Sequence, residues 1–194
     1  MVREKGKKRW FTVLTPELFG SKELSEIAGY STEELIGRGV EVTGQMLTTL
    51  PKDANRKYIL LITGAKGDKM LTLPVKYYLT SSFIFRTVRK YKEREAFVLY
   101  PKTKDGFELR VKLQFLNPSR LHRSERGALL KKLKELLPAK TAEYASDKIF
   151  EPDTIEKLAN DLKKDLAEVK PISKILIHAI SIRNPKAILQ TKAK

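Results

Sequence analysis

The chain of 194 residues contains no cysteine. Disulfides, thiolate zinc sites and cysteine nucleophiles are excluded with it. Histidine is almost as scarce. The two copies, His122 and His178, stand far apart, and neither belongs to a metal-binding or catalytic motif. His122 lies in a basic stretch and His178 in an apolar one, so both read as packed or solvated side chains. No run approaches the roughly 18 apolar residues that would span a membrane. The basic start MVREKGKKRW has no apolar stretch behind it to act as a signal peptide, and the expectation is a soluble, cytoplasmic protein. Acid is in deficit: 23 Asp and Glu face 39 Lys and Arg, for a net charge of +16. A domain this basic repels itself until it meets an anionic partner, nucleic acid before membrane.

Catalytic signatures are missing too. GAKGDK (64–69) lacks the spacing of a phosphate loop and is not followed by a helix, so it reads as a hairpin turn. No GxSxG or GxGxxG is present. Glu33 and Glu34 sit at a helix start, where they complement the macrodipole. A metal nuclease would need clustered carboxylates on strands, and only Glu41 and Glu108 are offered there. The reading is a protein with no catalytic residues, no metal site and no cofactor.

What is present is patterned. In KDGFELRVKLQF (104–115) every second residue is apolar, from Phe107 to Phe115, and Arg110 and Lys112 alternate with them. That is a half-buried strand, and Asp105-Gly106 ahead of it is a hairpin signal. Further strands are expected at 10–14, 38–47, 57–63, 70–78, 95–100 and 172–182; Pro74 marks an edge or bulge in the fourth of the chain's strands. Residues 15–30 read as loop with a short turn of helix. Helices are expected at 31–37, with Ser31 and Glu34 as a capping box, at 80–91, at 121–137, ended by Pro138, and from Asp153 onward. The fold class is therefore α+β: a β-barrel core of six or seven mostly antiparallel strands with two to four helices packed on it. One domain, 10–183, lies between a basic arm, 1–9, and a basic tail, 184–194.

Positive charge gathers in clusters, and these supply the candidate RNA-binding residues. Lys5, Lys7, Lys8 and Arg9 are in the arm, and Arg38 opens the strand expected at 38–47. Arg86, Arg89, Lys90 and Arg94 lie in RTVRKYKER. Lys102, Lys104, Arg110 and Lys112 belong to the central hairpin. Arg120, Arg123, Arg126 and Lys131 follow in the stretch that opens the leucine-rich helix, and Arg183 and Lys186 lie near the end. Such side chains neutralise phosphates and release counterions, which gives affinity without sequence information. Trp10, Phe11 and Tyr91 interleave with the charge and could stack on bases, although Trp10 and Phe11 read first as core. The helix at 121–137 has an all-leucine stripe without Trp or Phe, which argues against a membrane surface.

Four stretches, in order, carry a resemblance. KKRWFTVLTPELFG (7–20) resembles the opening of an archaeal and eukaryotic family of small-subunit ribosomal proteins, eS-one, older name S-three-A-e. IGRGVEVTGQMLT (36–48), TKDGFELRVKLQF (103–115) and KPISKILIHAISIRNPK (170–186) are similar to later stretches of that family. Two places depart from it: Ser81-Ser82 stand where the family usually has Arg-Asp, and His178-Ala179 where it usually has Arg-Lys. The long eukaryotic extensions are lacking, which points to an archaeal-type member. The resemblance implies a barrel with helices in the platform of the small ribosomal subunit, near the messenger exit. It implies a structural, non-catalytic role, with small-subunit ribosomal RNA and neighbouring ribosomal proteins as partners and mRNA near the exit as a further contact. The alternatives are a free RNA-binding translation factor or RNA chaperone, and a basic enzyme on nucleic acid that would need Glu41 or Glu108.

Overall fold

The computed structural model describes residues 7–185. They divide into two compact units, one formed by the residues up to Val75 with Asn184 and Pro185, the other by Lys76–Arg183.

The first unit opens with β1 (Arg9–Leu14), whose alternation turns Phe11 and Val13 inward and leaves Trp10 exposed. Its antiparallel partner is β2 (Glu23–Gly29), paired from Arg9↔Gly29 to Val13↔Ser25. The 15–30 stretch thus holds the expected short helical turn, a 3-10 turn at Glu17–Phe19, and a strand where loop was expected. ELSEIAG hides that strand because its only large apolar residues, Leu24 and Ile27, lie three apart and are only half-buried. Next comes α1 (Thr32–Leu35), capped as the Ser-x-x-Glu pattern predicts: Ser31 Oγ accepts from the Glu34 N–H at 3.4 Å. Gly37, at φ 86°, ends it in the left-handed region that favours glycine.

Antiparallel ladders join β3 (Gly39–Thr43) to β4 (Arg56–Lys66), with Gly39 opposite Leu61. The expected strand at 38–47 stops halfway, because Gly44–Thr48 forms α2. A Cβ at Gly44 would stand 2.6 Å from the Asp53 carbonyl oxygen, so the close approach there requires glycine. Asp53 is wholly buried in the following 3-10 turn; it accepts from the Thr48 hydroxyl at 2.6 Å and pairs with Arg56 at 2.9 Å. One core cluster of this unit is Phe11, Val13, Leu35, Ile62 and Met70. Met70 comes from β5 (Lys69–Leu79), which pairs with β4 and, in parallel, with β1 at Thr12↔Lys69 and Val13↔Met70. Pro74 interrupts β5 between the residues paired with β1 and Lys76–Tyr78, which pair with the last strand. A residue without an N–H is tolerated where a ladder changes partner.

The second unit takes the end of β5 and continues with α3 (Ser81–Val88), β6 (Glu93–Leu99) and β7 (Leu109–Asn117). Helices α4 (Arg123–Thr141) and α5 (Pro152–Leu166) follow, and then β8 (Lys174–Ile182). The strand order is β5-β8-β7-β6, antiparallel throughout, so β8 lies inside the sheet as its apolar sequence requires. Leu109, Val111, Leu113 and Phe115 of β7 are buried. So are Leu129, Leu133 and Leu137 of α4 and Ile155, Leu158, Leu162 and Leu166 of α5. These two helices pack on each other, and α5 packs on β8.

Three expected helix boundaries move, the first being the end of α3, at Val88 rather than residue 91. Pro138 does not end α4, which runs one turn further to Thr141. A proline inside a helix costs about 3 kcal/mol. Here the extra turn keeps Leu137 and Thr141 buried, and the Thr141 hydroxyl donates to the Leu137 carbonyl at 2.9 Å. In α5 the N-cap is Glu151, with Pro152 in the first turn, rather than Asp153. The fold is α+β as expected, with eight strands instead of six or seven and five α-helices instead of two to four among the described residues. β2, β3 and β6 each have a single strand partner, so the sheet is open and does not close into a full barrel.

Candidate nucleic-acid interface

The polar face of β7 is not flat. The β7–β8 ladder pairs Lys112 with Ala179 and Leu113 with Ile177, so His178 is the extra residue of a β-bulge. Bulges re-aim side chains, and His178 joins Arg110, Lys112 and Gln114 in the lining of one groove. Helix α3 lines it with Ser81, Ile84 and Phe85, and β6 with Ala96 and Val98, which lie opposite Gln114 and Lys112. The cavity is about 420 Å³. Burial, and then the charge of Lys112, hold the His178 imidazole below its ordinary pKa of 6.5, so it is neutral at physiological pH. Neither Arg110 nor Lys112 is paired with an acidic side chain among the described residues. Ser81 and His178, one residue from each of the two departures expected from the sequence, both line this groove.

A second hollow of about 350 Å³ is lined by Phe85, Val88, Arg89, Tyr91, Lys92 and Arg94. Phe85 belongs to both hollows and is 61% exposed. Arg86 points its charge over the Phe83 ring at 5.8 Å, and Lys90 is exposed just beyond the helix. The candidates at 86–94 and 110–112 are thus brought to one region of the second unit.

Other candidates lie elsewhere. Lys7, Lys8 and Arg9 are exposed at the start of β1, and Lys8 stands 5.6 Å from the centre of the Tyr30 ring. Trp10, expected first as core, is 69% exposed beside them, while Phe11 is core. Arg38 is exposed between α1 and β3. Lys102 and Lys104 are exposed in the hairpin turn, which is tied down by Asp105 accepting from the Ser146 N–H at 2.6 Å. Arg120, Arg123 and Lys131 are exposed before and along α4. Arg126 and Arg183 are engaged within the fold: Arg126 with Glu95 at 2.8 Å, and Arg183 with both carboxylate oxygens of Glu108 at 2.9 and 3.0 Å. Lys5 and Lys186 lie outside the described residues, as do most of the arm and tail.

The two strand carboxylates considered for catalysis are both in ion pairs, Glu41 with Lys57 at 2.6 Å and Glu108 with Arg183. Among the described residues no group of three or more His, Asp or Glu is placed to hold a metal ion. No helix there is long and apolar enough to cross a membrane.

The model of the Ribosomal S3Ae family matches residues 3–185. The chain belongs to the Ribosomal S3Ae family. Among curated proteins it is similar to the small ribosomal subunit protein eS1 of Saccharolobus solfataricus, 28% identical over 185 residues, covering 93% of this chain and 88% of the relative. It is also similar to the eS1 protein of Sulfurisphaera tokodaii, 29% identical over 178 residues, covering 90% and 91%. These are archaeal proteins, in line with the archaeal-type resemblance read from the four stretches.

For this member of the S3Ae family, charge alone does not locate the groove. Phe85 escapes because SSFIFRTV reads as an ordinary amphipathic helix face. His178 reads as packed because a bulge cannot be seen in an apolar run. The signal that points to Phe85 is its place beside RTVRKYKER.

Proposed function

We propose that this chain is a structural constituent of the small ribosomal subunit. It binds small-subunit ribosomal RNA through its basic surface, with Arg110 and Lys112 of β7 meeting phosphates, and through its basic ends. It lies at the platform near the messenger exit, in contact with neighbouring small-subunit proteins and close to departing mRNA. It works in the cytoplasm as part of the ribosome, performs no catalysis and takes no cofactor. The observation that carries this reading is membership of the S3Ae family across residues 3–185, in a chain of net charge +16. A charge of this size is relieved by a polyanion.

The test is a sucrose gradient of native lysate at about 0.5 M monovalent salt, where simple phosphate contacts are heavily weakened. The protein is expected to sediment with the small subunit. Release to the top of the gradient, while other small-subunit proteins stay, would make it a peripheral RNA-binding factor instead.

A further inference from the structure

Phe85 is the one large aromatic of α3 left mostly in water, 61% exposed, and it stands between two hollows. The rest of that helix follows the rule: Val88 is buried, and Phe83 and Ile84 are half-buried. Packing therefore does not account for the place of Phe85. Cations line both sides of it, Arg110 and Lys112 in one hollow and Arg89, Lys92 and Arg94 in the other, and no carboxylate lines either. The larger hollow, about 420 Å³, falls within the roughly 300–1,000 Å³ of small-ligand sites.

An exposed ring flanked by cations and free of acid suits one kind of occupant. A nucleobase covers the ring by stacking, and the phosphates before and after it meet the cations. Inside a duplex both faces of every base are already stacked, so the body of duplex RNA does not fit. An apolar peptide would cover the ring but leave Arg110 and Lys112 desolvated without counter-charge, which is costly. We propose that the two hollows beside Phe85 form one site for an unpaired segment of RNA, with a base stacked on Phe85 and flanking phosphates on Arg110 and Lys112 to one side and Arg89 and Arg94 to the other. The neutral imidazole of His178 and the amide of Gln114 are the uncharged polar groups on the groove floor, available to the base edge. The proposal rests on the RNA-binding reading above and specifies the form of RNA that this surface takes.

The experiment compares binding of a fluorescein-labelled oligouridine and a blunt RNA duplex of the same length by the full chain. Phe85→Ala should weaken oligouridine binding on the order of tenfold, the loss of one base–aromatic stack, and leave duplex binding unchanged; Phe85→Tyr should restore it. Because Phe85 is mostly exposed, neither change threatens the fold. A second readout moves the sole tryptophan: in a Trp10→Phe/Phe85→Trp chain, oligouridine should quench the fluorescence and the duplex should not. Equal binding of both RNAs by wild type and Phe85→Ala, with an unquenched Trp, overturns this site while the RNA-binding reading stands. A Phe85→Ala chain that binds oligouridine normally but fails to enter the small subunit marks the groove as a protein-docking surface, which also overturns it. A wild-type chain that binds neither RNA removes the RNA-binding reading itself.

Discussion

Arg126 of α4 reaches Glu95 of β6 at 2.8 Å, and Glu95 is buried while the Arg126 side chain is half-exposed. A cation that the sequence alone offers to RNA is thus the counter-charge of a carboxylate under the helix. Its removal leaves Glu95 desolvated without a partner. Arg126→Gln should lower unfolding stability by about 1 kcal/mol, the exposed half of the pair being screened by water. Urea denaturation reads this directly. The salt dependence of RNA binding should stay as in wild type; a lowered slope would move Arg126 into the interface.

Arg110 and Lys112 behave in the opposite way. They carry no ion pair among the described residues, and their strand is held by the buried Leu109, Val111 and Leu113 on its other face. Arg110→Gln/Lys112→Gln should leave the urea midpoint within the error of wild type. It should reduce the slope of log K against log salt by about 0.7 to 0.9 for each phosphate that the variant no longer neutralises. An unchanged slope would show that this face meets no phosphate.

The difference between these cations marks how far the sequence is legible. Apolar runs mark β4 and β8, and period-two alternation marks β7, because each buries at least one whole face. It misses β2, whose Leu24 and Ile27 break the period at an edge where little is buried. It overruns β3, because Gly44 turns the chain for a reason the local pattern does not contain: the Asp53 carbonyl oxygen 2.6 Å from where its Cβ would be. Pro138 is read as a stop because the gain from burying Thr141 is tertiary. The candidate interface follows the same logic. Cations are visible as residue types, but Arg126 and Arg110 look alike until Glu95 is placed. The groove needs α3, β6, β7 and β8 together, which no local window contains.

Asp53 anchors α2 and the turn after it. It is wholly buried, Arg56 is nearly so, and the Thr48 hydroxyl donates to its other carboxylate oxygen at 2.6 Å. Asp53→Ala removes the acceptor from both groups at once. Breaking such a buried pair costs about 3 kcal/mol. The expected result is a matching fall in unfolding free energy. A loss below about 1 kcal/mol would mean that water takes over the carboxylate's place.

Glu125 ties the start of α4 to the segment ahead of β8. Its carboxylate accepts from Lys170 at 2.6 Å and from the His122 N–H at 2.8 Å. The Lys170 bond first, and then the His122 N–H, hold its pKa below the ordinary 4.5. The folded state therefore binds the proton less readily than the unfolded chain. The stabilisation is fully present above the unfolded value, near 4.5, and is lost as pH falls through the lower folded value. Glu125→Gln removes this dependence. Wild type should exceed the variant in urea midpoint at neutral pH, and the gap should close as pH drops below 4.5. High salt should narrow the gap at neutral pH, because the pair lies at the surface. A gap that stays constant through the acid range would mean that packing of the side chain, rather than its charge, fastens α4 to β8.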